Sequence, residues 1–417
     1  MRNFIFTLLL ITATTCQLAA QRTCISFDYE QQKLKDDPSL KGKVTGIENF
    51  IQKKSTSASN IAGKPHEGAI ITIPVVVHIL YNKPHENISD EAVFSQIEVL
   101  NESFRRLGAD TVNTPAWFKA IAADCEIEFK LAVSDPERRS TTGIVRKYSL
   151  VTKWGIDDQV KSSARTGDDP WDTQNYLNIW VCNLDRVAGY SSFPGGPEAK
   201  DGIVIAYNVF GKNSRSGYEQ GKTAVHETGH WLGLRHIWGD GYCGDDWVDD
   251  TPKQGNFTPG CPSGVRPSCS NGPNGDMYMN YMDLTLDACI NLFTEGQKER
   301  IRTLFEEGGA RYAILSSYAL LPPTNNEPRP TEEPPKLSEH RMYPNPATNE
   351  IILDLSYDIR WMGQQIRITN VQGQSVMQVP VNSKIVKLDI SRLTPGLYFL
   401  MTKKEDGATI KQKFIKL

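Results

Sequence analysis

Stretches with a strong apolar rhythm alternate along this chain with stretches that have none. The run Ile71-Thr72-Ile73-Pro74-Val75-Val76-Val77-His78-Ile79-Leu80 is β-branched and nearly continuous, which predicts a buried strand. Between Asn87 and Leu107, Val93, Ile97, Leu100 and Phe104 fall on one face of a helix, with Ser89 as its N-cap. Cys125 to Val133, Tyr176 to Leu184 and Gly202 to Tyr207 read as further strands. Strands interleaved with helices predict an α/β body. After Asp240 the rhythm stops: from Gly241 to Pro273 the chain is rich in Gly, Pro, Asp and Cys, and reads as loop held by covalent or ionic ties. Thr294 to Leu304 predicts a closing helix. Residues 341–417 show short alternating segments between turns, the pattern of a small all-β sandwich.

The remaining stretches read as processing signals and connectors. Arg2, the apolar run Phe4 to Ala13 and the small residues before Gln21 predict a cleaved export signal over residues 1–20. That run is too short to span a bilayer and no later one is long enough, so no transmembrane segment is expected. Cys16 offers a lipid-anchor alternative, although Ala13-Thr14-Thr15 before it lacks the usual leucine. Residues 21–54 are polar and charged. Their end, running on through Lys53-Lys54-Ser55-Thr56-Ser57-Ala58-Ser59, reads as an exposed, protease-sensitive loop. The expected organisation is a signal over 1–20, a propeptide over 21–54, a catalytic body over 55–320, a proline-rich, semi-rigid linker over 321–340 and a C-terminal module over 341–417. No internal repeat stands out.

A length of 417 residues suits two or three units. The net charge of -3 carries no polyanion-binding signature, so nucleic acid is not an expected partner. Export implies an oxidising compartment for the cysteines. With Cys16 inside the signal, an odd number remains. Cys24 stands apart from Cys125, Cys182, Cys243, Cys261, Cys269 and Cys289, all in the central region.

The candidate chemistry lies in His226-Glu227-Thr228-Gly229-His230-Trp231-Leu232-Gly233-Leu234-Arg235-His236. On a helix, His226 and His230 project from one face and can reach one ion. Glu227 sits one position round, placed to take a proton from an activated water and deliver it to a leaving amine. Gly233 can end the helix in a left-handed conformation, so that His236 swings back as third ligand and one position stays open. Three neutral nitrogens, an open site and a base point to zinc and to hydrolysis. Of the chain's 7 histidines, three are spent here.

This HExxHxxGxxH pattern is the metzincin signature. With Asn280-Tyr281-Met282-Asp283, Asp287-Ala288-Cys289 and Phe293-Thr294, the chain resembles the pappalysin family of metzincin zinc metalloproteases over roughly residues 70 to 310. The resemblance implies an α/β (α+β) catalytic domain with a mixed twisted sheet and an irregular lower half. It makes Met282 the methionine of the Met-turn beneath the zinc. It implies calcium in the loop Cys243 to Pro252, with Asp246, Asp250 and Thr251 as ligands, although the residues alone allow a solvated acidic loop. It implies disulfides Cys243–Cys269 and Cys261–Cys289, and it makes Cys24 a zinc-blocking thiolate in a latent form, a free thiol being the alternative. Some members prefer a basic residue after the scissile bond, and Asp287 or Asp283 could line that pocket. One departure stands out: where many members have Tyr two residues after the Met, this chain has Leu284, so Tyr281, a backbone N–H, or Glu227 with zinc must meet the developing negative charge.

Met342-Tyr343-Pro344-Asn345-Pro346-Ala347, the stretch Leu388 to Leu400 and the ending Lys413-Phe414-Ile415-Lys416-Leu417 resemble a type IX secretion sorting domain. This implies export across the inner and outer membranes through the outer-membrane secretion machinery, and a secreted or cell-surface protein acting on protein or peptide substrates. The alternatives are a carbohydrate-binding module at the C-terminus and, for the whole chain, a zinc-holding adhesin or a peptidoglycan amidase. A structural zinc site would fill all four positions with protein ligands, which three histidines beside Glu227 do not.

Overall fold

The computed structural model describes residues 24–58, 68–212, 218–327, 340–355, 358–404 and 407–417. The signal expected over residues 1–20 and part of the linker lie outside them.

Two N-terminal helices open the described chain, α1 (Ser26–Asp36) and α2 (Leu40–Ala58). Residues 53–58, expected as an exposed loop, are the end of α2. Leu40, Val44, Ile47 and Ile51 form a stripe at helical spacing that the polar residues around it conceal, with Leu40 and Ile51 buried. Ion pairs Glu48–Arg300 and Lys54–Glu306 tie α2 to the region around the closing helix.

The long strand β1 (Ile71–Tyr81) is almost wholly buried and organises a six-stranded sheet. One edge of β1 pairs in parallel with β2 (Ile127–Leu131) over its first half and β3 (Ile144–Tyr148) over its second. Its other edge pairs in parallel with β4 (Leu177–Cys182). The edge strand β5 (Gly189–Ser191) runs antiparallel to β6 (Ile203–Ala206), which itself lies parallel to β4. Helix α3 (Asp90–Phe104) starts on the Ser89 hydroxyl, which accepts from the Ala92 amide, and buries Val93, Val99, Leu100 and Phe104. Continuous apolar strands are what a sheet covered on its faces requires.

Beyond α4 (Lys222–Trp231) the chain has little regular structure until α5 (Glu295–Thr303). Disulfides join Cys243 to Cys269 and Cys261 to Cys289, with Cα atoms 5.6 and 5.7 Å apart. Cys125 and Cys182 are separate buried thiols. Residues 341–417 hold two antiparallel sheets: β7 (Arg341–Tyr343), β8 (Glu350–Asp354) and β11 (Ile385–Asp389) in one, and β9 (Gln365–Asn370), β10 (Ser375–Pro380), β12 (Gly396–Lys403) and β13 (Thr409–Lys416) in the other. They share their own core, which includes Leu353, Ile368, Leu400 and Phe414. Among the described residues no helix is long and apolar enough to cross a membrane.

Candidate metal centre

Helix α4 is buried along its whole length and carries His226, Glu227 and His230 inward. The helix ends at Trp231, and Gly233 takes a left-handed φ of +79°, after which Leu234 N–H closes back onto the Gly229 carbonyl. That reversal returns His236 to the two helical histidines. The Nε2 atoms of His226 and His230 lie 3.1 Å apart, and those of His230 and His236 3.2 Å.

The partners of the other ring nitrogens set the tautomers. His226 Nδ1 donates to the Tyr281 carbonyl at 2.7 Å and His230 Nδ1 to the Leu234 carbonyl at 2.8 Å. His236 Nδ1 faces the Asp240 carboxylate at 2.5 Å. With the proton on Nδ1, each Nε2 presents a lone pair toward the other two, and burial together with His236 pushes the His230 pKa well below its usual range. Three buried lone pairs at such distances repel one another, and a shared cation is what resolves them. The donor set fits zinc.

Cys24 completes the cluster: its sulfur and the three histidine nitrogens all lie within 4.8 Å of one another. Its sulfur is 3.4 Å from His230 Nε2 and 3.7 Å from Glu227 Oε2. Its backbone bridges in parallel to Gly189 on β5. Burial and the Glu227 charge push its thiol well above its usual range, a cost that coordination to a cation reverses. Ser26, unremarked in the sequence, donates its hydroxyl to Glu227 Oε2 at 2.8 Å and accepts from the Ser191 amide at 2.9 Å. The N-terminal helices thus cover both the metal position and the carboxylate beside it. Further anchors hold them. Tyr29 and Lys33 bind the buried Asp158 carboxylate at 2.8 and 2.6 Å, and Glu30 pairs with Arg235 at 3.3 Å.

Met282 lies directly under α4, where a Cβ on Gly229 would come within 2.5 Å of its sulfur. Leu284 is buried with Phe118, Ile237, Trp238, Met277, Met279 and Leu292, and Cys24 packs against the same cluster. The Tyr281 side chain is engaged with Ser103 and its ring packs on Phe293 at 4.7 Å. Asp287 accepts the Gln220 and Lys222 amides at 3.1 and 3.2 Å, at the start of α4. Asp283 is fully buried and takes the Thr258 amide, the Gln254 side chain and the Leu284 amide, so it braces the loops. Asp246 receives the Thr251 hydroxyl at 2.8 Å, and burial pushes its pKa up to about 7. Asp250 instead accepts from Thr294 and the Gly296 amide at the start of α5.

The profile of the pregnancy-associated plasma protein-A family matches residues 160–306, and that of the secretion system C-terminal sorting domain matches residues 341–417. An extracellular metalloprotease of Arthroderma gypseum is 30% identical over 310 residues, covering 71% of this chain and 88% of that protein. One from Arthroderma benhamiae is 32% identical over 325 residues, covering 75% and 93%. The chain belongs to the pappalysin family. Among solved structures, a promirolysin mutant of Tannerella forsythia is 44% identical with a TM-score of 0.66, covering 72% of this chain and 98% of that one. Mature mirolysin of the same organism, with a cleaved peptide, is 49% identical with a TM-score of 0.59, covering 60% and 97%. This pappalysin is a zinc-dependent metalloendopeptidase with the metzincin fold, and its C-terminal module is a type IX sorting domain that directs it out of the cell.

Proposed function

We propose that Glu227 is the general base and acid of peptide hydrolysis at a zinc ion held by His226, His230 and His236, and that Cys24 keeps the precursor latent as fourth ligand. The observation that carries this reading is the convergence of three Nδ1-protonated histidines and one thiol on a single point with the Glu227 carboxylate beside it. Zinc, when bound, supplies Lewis acidity that polarises a carbonyl and brings the pKa of water to about 7. Glu227 takes a proton from the attacking water and returns it to the leaving amine. With Leu284 in an apolar cluster and Tyr281 engaged with Ser103, a backbone N–H group, or Glu227 together with the zinc, would meet the developing charge. In the latent form Ser26 occupies the base while Cys24 occupies the fourth ligand position, where water would otherwise bind.

Cleavage around Lys53 to Ser59 frees α1 and α2 together with Cys24; Ser59 and the eight residues after it lie outside the described chain. A preference for a basic residue after the scissile bond rests on the family resemblance alone, since the buried Asp287 carboxylate accepts the Gln220 and Lys222 amides at the start of α4. Calcium would draw on the oxygen cluster in which the Thr251 hydroxyl meets the buried Asp246 carboxylate and the Val248 carbonyl, with Asp250 nearby in sequence. The sorting domain is removed after export, and deleting Lys413 to Leu417 traps the protein in the periplasm.

A casein assay tests the central claim. Glu227→Ala lowers turnover by about 10²–10⁴-fold with the histidines intact, and undiminished activity overturns the claim. Cys24→Ala accelerates activation of the precursor, and unchanged activation removes the latency role.

A further inference from the structure

The three histidines are not held alike. His226 and His230 stand on α4, where the helix backbone fixes both side chains relative to each other. His236 stands on a loop and must be oriented by its neighbours. Two neighbours do this. Trp238 stacks on the imidazole with ring centroids 4.1 Å apart and planes 10° from parallel. Asp240 then receives the Nδ1 proton, through the one carboxylate among the three Nδ1 partners.

The chain takes an unusual path to put that carboxylate there. Gly239 and Asp240 are both left-handed, with φ of +62° and +56°. A Cβ on Gly239 would collide with the backbone of Gly244 and Asp245, so only glycine fits before Asp240. The left-handed region disfavours residues with a Cβ, and Asp and Asn are among the few that tolerate it. A carboxylate is therefore retained between two glycines, in a backbone conformation that a third glycine would suit better. It is almost buried, with a side-chain exposure of 9% against 3% for His236. In that setting a charge-assisted hydrogen bond is stronger than one to a carbonyl.

We propose that Asp240 is a positioning residue of the metal centre. By holding the His236 proton on Nδ1, fixing the ring plane with Trp238 and raising the electron density on Nε2, it makes the loop histidine the strongest donor of the three. Outer partners of metal-binding histidines typically contribute 10- to 100-fold in metal affinity. The inference rests on the three-histidine reading above and adds a ranking within it.

The experiment uses the full chain and measures zinc, not only turnover. Wild type, Asp240→Asn and Asp240→Gly are loaded with one zinc each. The rate of zinc loss to a chelator is followed, together with the melting temperature of each metal-free protein. Asp240→Gly is expected to lose zinc about 10- to 100-fold faster, and the metal-free melting temperature separates that loss from whatever the missing His236 bond costs the fold. Asp240→Asn keeps the shape and an acceptor without the charge, and falls between the two. Zinc held as tightly in Asp240→Gly as in wild type overturns the proposal. If that variant does not fold, Asp240→Asn decides in the same way: faster loss supports the proposal and an unchanged rate overturns it. Failure of wild type itself to hold one zinc would instead sink the three-histidine reading, so the two failures are distinguishable.

Discussion

The sheet and the loop region between α4 and α5 bracket the same metal centre but are held together by different forces. The sheet is held by burial. Ile73, Val75, Val77 and Ile79 of β1, Ile179 and Val181 of β4, and Ile203 and Ile205 of β6 are all fully buried in one apolar cluster. The loop region has a much smaller cluster, around Trp238, Met277 and Leu292, and relies on specific ties: two disulfides, the bonds into Asp283, and the Asp246–Thr251 pair. Non-directional burial tolerates some change at any one position, whereas a tie fails as a unit. The metal centre spans both regimes, with His226, Glu227 and His230 on the first and His236 on the second.

Emptying the sheet core should have the largest effect. Phe129 on β2 is fully buried and packs edge-on against Phe104 of α3, with ring centroids 5.1 Å apart. Phe129→Ala should cost about 3–5 kcal/mol in urea unfolding followed by tryptophan fluorescence. Because the sheet cooperates as one core, the whole transition should shift, with no separate early phase from the loops. An early phase confined to α3 and β2 would show that burial here is local, and would erase the contrast between the two regions.

Cutting a tie should act more narrowly. Cys243 and Cys269 are 26 residues apart, and by the chain-entropy model their bond contributes about 3.5 kcal/mol. Replacing both by Ser should open residues 243–269 to hydrogen exchange while leaving β1 and β4 protected. Equal loss of protection in the sheet would mean that the loops and sheet unfold together, and the distinction between the two regimes would fail.

This contrast also governs what the sequence could reveal. Strands β1, β2, β4 and β6 and helix α3 were legible because burial leaves a period in the chain, whereas the half-buried β3 and the three-residue β5 leave none. The centre was legible because helical geometry converts the spacing of His226 and His230 into proximity, and Gly233 announces the reversal. Ties leave no such trace. Asp240 between two glycines reads as a turn, although its place four residues after His236 was a usable signal. Ser26 and Tyr29 meet Glu227 and Asp158 across 201 and 129 residues, a pairing that no local pattern encodes. Helices α1 and α2 are concealed by the polar, charged composition of residues 21–54, and α2 runs on past Lys53 from the Leu40–Ile51 stripe through residues that read as loop.

The smallest expected effect is a tilt in the pH dependence of the loop region, and it probes one tie alone. Asp283 is fully buried, and burial pushes its pKa up to about 6 despite three hydrogen bonds into the carboxylate. In the unfolded chain an aspartate titrates near about 4. The folded state therefore binds the extra proton between these two values, so this group's contribution to stability is fully present below about 4 and is lost as pH rises through about 6. Melting temperature measured between those limits should fall with rising pH by this contribution. Asp283→Asn, which keeps a hydrogen-bonding side chain but does not titrate, should remove that share of the slope. An unchanged slope in the variant would show that the Asp283 carboxylate is not a strained tie, and that the loop region is braced by its disulfides without it.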